Sequence, residues 1–265
     1  MTTQMKNNIT IVKHFLHREC LIFKKEFFDT IIDNISWPLG NALVFGYVMP
    51  SLGLGASYAG FMVVSATVGG MLFLLFVEAT FLSMDYDNER KVNFEMMLPW
   101  SISTLVLKNG LRMTFIGISR TALLPFLAKL VLPEQLSLKQ FSLPLFIIAL
   151  ILVNVSLSFL MLIFAGLVQS GSIERFRLRV IDQLFFFGCF MFPWTVMYKV
   201  LPRLALLNLL NPVTHAMEMT RVAFLGQQDS LPFWISAVVL ILYSGLFFKV
   251  SVWAFKKRLD CVMVS

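Results

Sequence analysis

Three polar side chains, His215, Glu218 and Arg221, follow one another at intervals of three residues just after Pro212. A helix would place all three on one side, because residues three and four apart are neighbours on a helical surface. An ion pair between Glu218 and Arg221 would fix the local fold. The alternative is a polar gate built from Pro212 and these three residues.

Two further charged residues, Glu78 and Arg120, stand inside long apolar stretches. An arginine near the centre of a membrane helix costs on the order of 2.5–3.5 kcal/mol unless it faces a partner or water. Arg112 and Asp182 are the candidate partners of Glu78. Both structural pairing and contact with a transported molecule are compatible with these positions.

The sequence contains no catalytic motif. It has no GxxxxGK[ST] or HExxH, and no grouping of Ser, His and Asp near the end of an apolar run. Its three cysteines are far apart, and its three histidines do not cluster, so neither a disulfide framework nor a metal site is predicted. We expect no enzymatic activity, cofactor or metal in this chain.

The composition is that of a membrane protein. Hydrophobic residues make up 58% of the 265 residues and charged residues 14%, against about 45–50% and about 25% in soluble domains. Continuous apolar runs of bilayer length predict transmembrane helices rather than alternating strands. Six such spans are predicted over one domain of residues 1–265, at about 31–52, 58–82, 110–132, 143–168, 180–198 and 233–255.

The distribution of basic residues predicts the orientation. Fourteen Lys and Arg residues fall on the side that holds both termini, and four on the other side. Because Lys and Arg are enriched in cytoplasmic loops, both ends are expected in the cytoplasm. Residues 1–30 carry an imperfect amphipathic pattern, which predicts an interfacial helix.

Two long loops break the apolar pattern. The inside loop after the second span contains Asp85, Asp87, Glu89 and Arg90, followed by Phe94, Glu95, Met97, Leu98 and Pro99. It suits either docking into a partner's groove or a linker resting on the membrane surface. The outer segment 199–232 is mostly apolar but is broken by Pro202 and Pro212, which favours a re-entrant hairpin between spans 5 and 6.

Two stretches resemble the ABC-2 type permeases, especially the NodJ-like branch of lipo-oligosaccharide and polysaccharide exporters. The first is FEMMLPWSISTLVLKNGLR in the inside loop. The second is FFFGCFMFP followed by Leu201-Pro202 and NPVTHAMEMTRVAFLG. The matching residues are Phe94, Glu95, Met97, Leu98, Pro99, Gly188, Phe192, Pro193, Pro202, Pro212, His215, Glu218, Arg221 and Gly226.

The resemblance implies a dimeric permease of the bacterial inner membrane, most simply a homodimer. Each half would be bound by a separate ABC ATPase subunit, which would hold the ATP and Mg. Residues from Asp85 to Pro99 would then form a cytoplasmic coupling helix. The cargo would be an amphipathic molecule such as a lipid-linked oligosaccharide, a lipid or a drug.

A second hypothesis keeps the same docking loop without transport. The chain would then be a membrane anchor or assembly factor for a cytoplasmic partner. Neither hypothesis involves nucleic acid, because the net charge of +7 is carried by loops and chain ends.

Overall fold

The computed structural model describes residues 18, 21, 24, 25, 40, 41, 43–53, 57–85, 101–133, 139–226 and 230–264. These residues form helices and connecting turns, and no strand occurs among them. The helices are α1 (a π turn at Val44–Val48 followed by Met49–Ser51), α2 (Ser57–Met84), α3 (Ile102–Thr121), α4 (Leu124–Val131) and α5 (Leu143–Leu167).

The remaining helices are α6 to α10. Helix α6 covers 170–187 in four consecutive stretches, Ser170–Ser172, Ile173–Phe176, the π turn Arg177–Ile181 and Asp182–Phe187. It is followed by α7 (Trp194–Val200), α8 (Pro202–Asn208), α9 (Pro212–Leu225) and α10 (Phe233–Val264).

Three helices are long and apolar enough to cross a membrane, over Tyr58–Met84, Leu143–Leu167 and Phe233–Arg258. They coincide with the predicted second, fourth and sixth spans. Burial reaches 72% in the most apolar part of α2 and of α5, but only 22% in that of α10. Helices α2 and α5 therefore form the centre of the bundle, and α10 lies at its edge.

These three helices run in the same direction. Their last turns meet where the Arg258 side chain of α10 hydrogen-bonds to Ser83 of α2 and to the backbone of Val168, just after α5. Their N-terminal halves meet around α9, through Ser65, Ser142 and Ser236. Three parallel helices in one chain require return passes between them.

Helix α3 makes the first return. Gly110 packs on Phe159, Thr114 donates to Ser158 at 3.2 Å, and Gly117 packs on Asn154. Because residue numbers rise along α3 as they fall along α5, the two helices are antiparallel. Helix α6 makes the second return: Ile173 and Phe176 lie near the end of α2, whereas Phe185 packs on Phe73, whose ring centroid is 5.1 Å away.

The third predicted span differs in its boundaries. Helix α3 begins at Ile102 rather than at 110, with Ser101 as its N-cap, and the helix is interrupted between Thr121 and Leu124. The sequence predicted Lys108 and Asn109 to be loop residues. Both belong to helix α3, and they are only 3% and 5% exposed. Polar residues that are buried inside a helical bundle need not end a helix.

The fifth predicted span, 180–198, is not one helix. Helix α6 starts at 170 and ends at Phe187, and α7 starts only at Trp194. Between them Cys189 adopts a φ of 61°, a left-handed conformation, and Pro193 precedes the next helix. Because the residues at this break are mostly apolar, the hydropathy pattern does not reveal that the helix ends there.

Three predicted regions lie partly or largely outside the described residues. Of the interfacial helix 1–30, only Arg18, Leu21, Lys24 and Lys25 are described, and all four are helical and exposed. The first span, 31–52, is described at 40, 41 and from 43 onward, where it is helical. Asp85 ends the described part of the inside loop. Asp87, Glu89, Arg90, Phe94, Glu95, Met97, Leu98 and Pro99 lie outside it.

Candidate functional site

Helix α9 carries the candidate gate residues and is almost completely buried. Asn211 caps its first turn by accepting a hydrogen bond from Val213 N at 3.0 Å, and Pro212 occupies the first turn. Gly226 ends the helix at a φ of 86°, a conformation that favours glycine. A 14-residue helix is about 21 Å long, so α9 is too short to span a bilayer of about 30 Å.

Both oxygens of the Glu218 carboxylate are engaged, and the side chain is 0% exposed. Oε1 accepts from Arg221 Nη1 at 2.9 Å and from the backbone N–H of Trp194 at 3.1 Å. Oε2 accepts from the backbone N–H of Leu231 at 3.0 Å. One carboxylate thus connects α9 to the start of α7 and to the segment that leads into α10.

The Arg221 guanidinium, which is 1% exposed, connects α9 to two other elements. Its Nε and Nη2 donate to Ser65 Oγ of α2, at 3.2 and 2.7 Å. Nη2 also donates to the carbonyl oxygens of Cys189 and Phe190, where the chain breaks after α6. The ring of Phe61 lies 3.9 Å from Arg221 Cζ, which adds a cation–π contact.

His215 lies one turn earlier in α9, outside the three candidate membrane spans. Its Nε2 is 2.9 Å from the carbonyl oxygen of Leu209, so Nε2–H is the donor and Nδ1 is free to accept from Ser236 Oγ at 3.4 Å. Burial lowers the pKa of His215, although the hydrogen bond to Leu209 and the charge of Glu218 oppose the shift. The imidazole is therefore neutral at neutral pH.

The geometry around α9 agrees with the ion-pair interpretation of this segment. The Glu218 carboxylate and the Arg221 guanidinium are fully engaged by protein groups and inaccessible from outside the bundle. Pro212 and His215 are also buried. We call Glu218, Arg221 and Ser65 the buried pin, because they join α9, α2 and both ends of the 188–194 break.

Of the predicted intramembrane charges, Glu78 and Arg120 have different surroundings. Glu78 Oε2 lies 3.6 Å from Arg112 Nη2 of α3, one of the two partners that the sequence suggested. Arg120 stands at the penultimate position of α3 and is partly exposed. Within the described part of the chain its side chain makes no hydrogen bond or ion pair.

Asp182 is a candidate that sequence reasoning named only as a partner for Glu78. Its Oδ1 is buried without a hydrogen-bond partner among the described residues. It directly follows the π turn Arg177–Ile181, and π turns inside helices are frequent at functional sites. Sequence gives one signal for it, an acid inside an apolar run.

Helix α6 differs from its neighbours in the face it turns outward. Its inward residues Ile173, Ile181 and Phe185 are buried. Its exposed residues are polar at Glu174, Arg175, Arg179 and Gln183 and apolar at Leu178, Phe186 and Phe187. The exposed residues of α5 are apolar at Leu143, Ile147 and Ile151, and those of α10 are apolar from Trp234 to Leu246. The exterior of α6 is thus mixed, with its charged residues Glu174, Arg175 and Arg179 toward the Arg258 end of the bundle.

A second polar cluster closes the opposite end of the bundle from α9. Arg258 donates to Ser83 Oγ at 3.1 Å, to Ser83 O at 3.2 Å and to Val168 O at 3.0 Å, and also to Ala165 O. It thereby pairs carbonyl groups left open at the end of α5. The two ends of the bundle are thus each fixed by one arginine.

Comparison with known proteins adds no assignment, since no family model and no curated protein matches this chain. The described residues contain no group of three or more His, Cys, Asp and Glu side chains able to hold a metal ion. The fold and its composition define an all-helical protein with three helices suited to crossing a membrane.

Proposed function

We propose that this chain is the permease subunit of an ATP-driven exporter that moves an amphipathic cargo across the inner membrane of a bacterium. The observation that carries the proposal is the set of exposed polar residues on α6, Arg175, Arg179 and Gln183, beside the apolar outward faces of α5 and α10. Charged side chains on a membrane helix face water or protein rather than lipid. A strip of water-facing side chains on one helix, next to helices with lipid-facing sides, would suit a transport path.

The direction of the helices supports six crossings. Helices α2, α5 and α10 are parallel, and α3 with α4 and then α6 return the chain between them. The first span would bring the chain to the start of α2. The short helices α7 and α8, together with the buried α9, would form the re-entrant outer hairpin, because none of the three is long enough to cross.

The charges support cytoplasmic termini. Six basic residues lie near the Arg258 end of the bundle, namely Arg175, Arg177, Arg179, Lys256, Lys257 and Arg258. The other end carries Arg120, Lys129, Lys139, Lys199 and Arg203, so the asymmetry depends mainly on the basic residues in the predicted loops and chain ends at the Arg258 side. On this proposal the Arg258 end is the cytoplasmic one, and an ATPase subunit would contact the chain on that side.

Co-purification tests the proposed function. The full chain, expressed from its native locus with an affinity tag, should retain an ATPase with a GxxxxGK[ST] motif. Charge reversal of Glu89 and Arg90, or Phe94→Ala, should reduce the retained ATPase about tenfold or more, since interface hot spots contribute 2 kcal/mol or more.

The matched control is Arg203→Glu, a charge reversal of an exposed arginine at the opposite end of the bundle. It should leave the amount of ATPase unchanged. Recovery of a cytoplasmic partner that has no nucleotide-binding motif would instead support the anchor hypothesis, and would contradict the exporter.

A further inference from the structure

Helix α6 contains one turn that is wider than an α turn. The backbone N–H of Asp182 donates to the carbonyl oxygen of Arg177, five residues earlier, and closes the π turn Arg177–Ile181. A π turn holds one residue more than an α turn. Because an α-helix has 3.6 residues per turn, one surplus residue displaces everything after it by about 100° around the helix axis. The turn therefore determines which side of the stretch Asp182–Phe187 faces outward.

The exposure of residues seven positions apart shows the effect of this turn. In a continuous α-helix such residues lie on the same side. Across the π turn they do not, because Leu178 is 56% exposed whereas Phe185 is 3% exposed. In the same way, Phe176 is half-buried whereas Gln183 is exposed. An α turn in place of the π turn would move Phe185 outward and would move Gln183 to the half-buried side.

Two pairs of opposite charges stand three residues apart along α6, and only the first pair is joined. Arg177 Nε donates to Glu174 Oε2 at 2.9 Å. Arg179 and Asp182 have the same spacing, but neither side chain makes a hydrogen bond or ion pair among the residues that the structure describes, and Asp182 Oδ1 is buried. Residues three apart are neighbours on an α-helix. An α turn would therefore bring the Arg179 and Asp182 side chains together.

Contacts near the end of α6 hold the present orientation. The Phe185 ring packs against Phe73 of α2, with ring centroids 5.1 Å apart, and covers Gly69, where a Cβ atom would lie 2.6 Å from the ring. Between α6 and α7 the chain is not helical, and Cys189 has a φ of 61°. This break can take up the one-residue rise of about 1.5 Å that α6 would gain. Phe185 therefore opposes a rotation that the chain beyond the helix permits.

We propose that α6 is a two-state helix in which the π turn Arg177–Ile181 converts to an α turn. In the second state Asp182 lies on the exposed side beside Arg179, and Gln183 lies on the half-buried side. Loss of the Phe185 contacts opposes the change, and the new ion pair favours it. The switch requires only this chain. Its trigger is the ATPase subunit, and that part alone rests on the proposed function.

Maleimide labelling of single cysteines tests the switch in the full chain, reconstituted alone in phosphatidylcholine vesicles from a cysteine-free background. Phe185→Ala should slow the labelling of Gln183→Cys about fivefold or more, since losing a buried phenylalanine changes a two-state ratio by more than about tenfold. Labelling of Arg175→Cys, which precedes the turn, should not change. Local loosening of the helix would instead speed labelling at 183. A faster or unchanged rate there would overturn the proposal.

Deletion of Val180 removes the surplus residue from the turn. The helix should then keep its present orientation with an α turn, so that Phe185→Ala no longer slows the labelling of Gln183→Cys. The deletion should also lower the unfolding temperature much less than deletion of Ile148, which is equally half-buried but lies in the regular helix α5. Equal destabilisation by the two deletions would show that the turn holds no surplus residue, and would contradict the switch.

Asp182→Asn removes one charge of the proposed ion pair without changing the size of the side chain. It should restore the labelling of Gln183→Cys in the Phe185→Ala protein, and labelling that stays slow would exclude the pair with Arg179 as the force behind the second state. None of these measurements needs the ATPase subunit. A chain that switches but retains no ATPase would therefore contradict the proposed function alone.

Discussion

Arg221→Met is expected to destabilise the protein by about 3–5 kcal/mol, the range for removing one partner of a buried ion pair. The change leaves the Glu218 carboxylate charged at 0% exposure. It also leaves Ser65 Oγ and the carbonyl groups of Cys189 and Phe190 without their donor. Unfolding in mixed detergent micelles, followed by tryptophan fluorescence, measures the loss.

Arg203→Met is the matched control for that variant, because Arg203 is exposed and lies in α8 near the same end of the bundle. It should change stability by less than about 0.5 kcal/mol. A stable, fully assembled Arg221→Met protein that no longer exports would contradict the structural role that we assign to the buried pin. It would favour the gate interpretation of His215, Glu218 and Arg221.

Gly117→Ala is expected to destabilise the protein by about 1–3 kcal/mol, the usual range for overpacking. A Cβ atom at Gly117 would lie 2.0 Å from Asn154 Oδ1. Asn154 cannot easily move away, because its Nδ2 donates to Leu150 O at 2.8 Å and contacts Met71 Sδ at 3.5 Å. Small residues at an interface allow helices such as α3 and α5 to approach closely.

Two comparisons test this explanation of Gly117. Gly70→Ala lies in α2, where a Cβ would meet nothing within 4 Å, and it should not destabilise the protein, since alanine is the better helix former. Asn154→Ala combined with Gly117→Ala should be less destabilising than the sum of the two single changes. Additive losses in thermal unfolding would show that Gly117 is not packed against Asn154.

Hydropathy predicted α2, α5 and α10 well, because these helices are apolar both where they are buried and where they are exposed. Hydropathy failed where the polarity of a residue does not match its burial or its secondary structure. Lys108 and Asn109 are polar but buried in α3, so the predicted span began too late. At Gly188 and Cys189 the chain is apolar but turns, so the predicted span continued too far.

The candidate site was predictable only in its local part. Spacing alone brings Glu218 and Arg221 together, because they are three residues apart on one helix. Their other partners are distant in sequence: Ser65 is 156 residues from Arg221, and Trp194 is 24 residues from Glu218. No pattern along the chain indicates such contacts, and the same holds for Arg258, which lies 175 residues from Ser83.

The central claim is that α6 faces water within a membrane bundle, and labelling of single cysteines tests it most directly. In a background without Cys20, Cys189 and Cys261, Gln183→Cys on α6 should react in native vesicles with a small water-soluble maleimide. Leu242→Cys on the apolar face of α10, which is 68% exposed in the isolated chain, should be protected by lipid. Labelling at 183 should also change when ATP is supplied with the partner ATPase. Protection at both positions, or labelling at 183 that ignores ATP, would contradict the account.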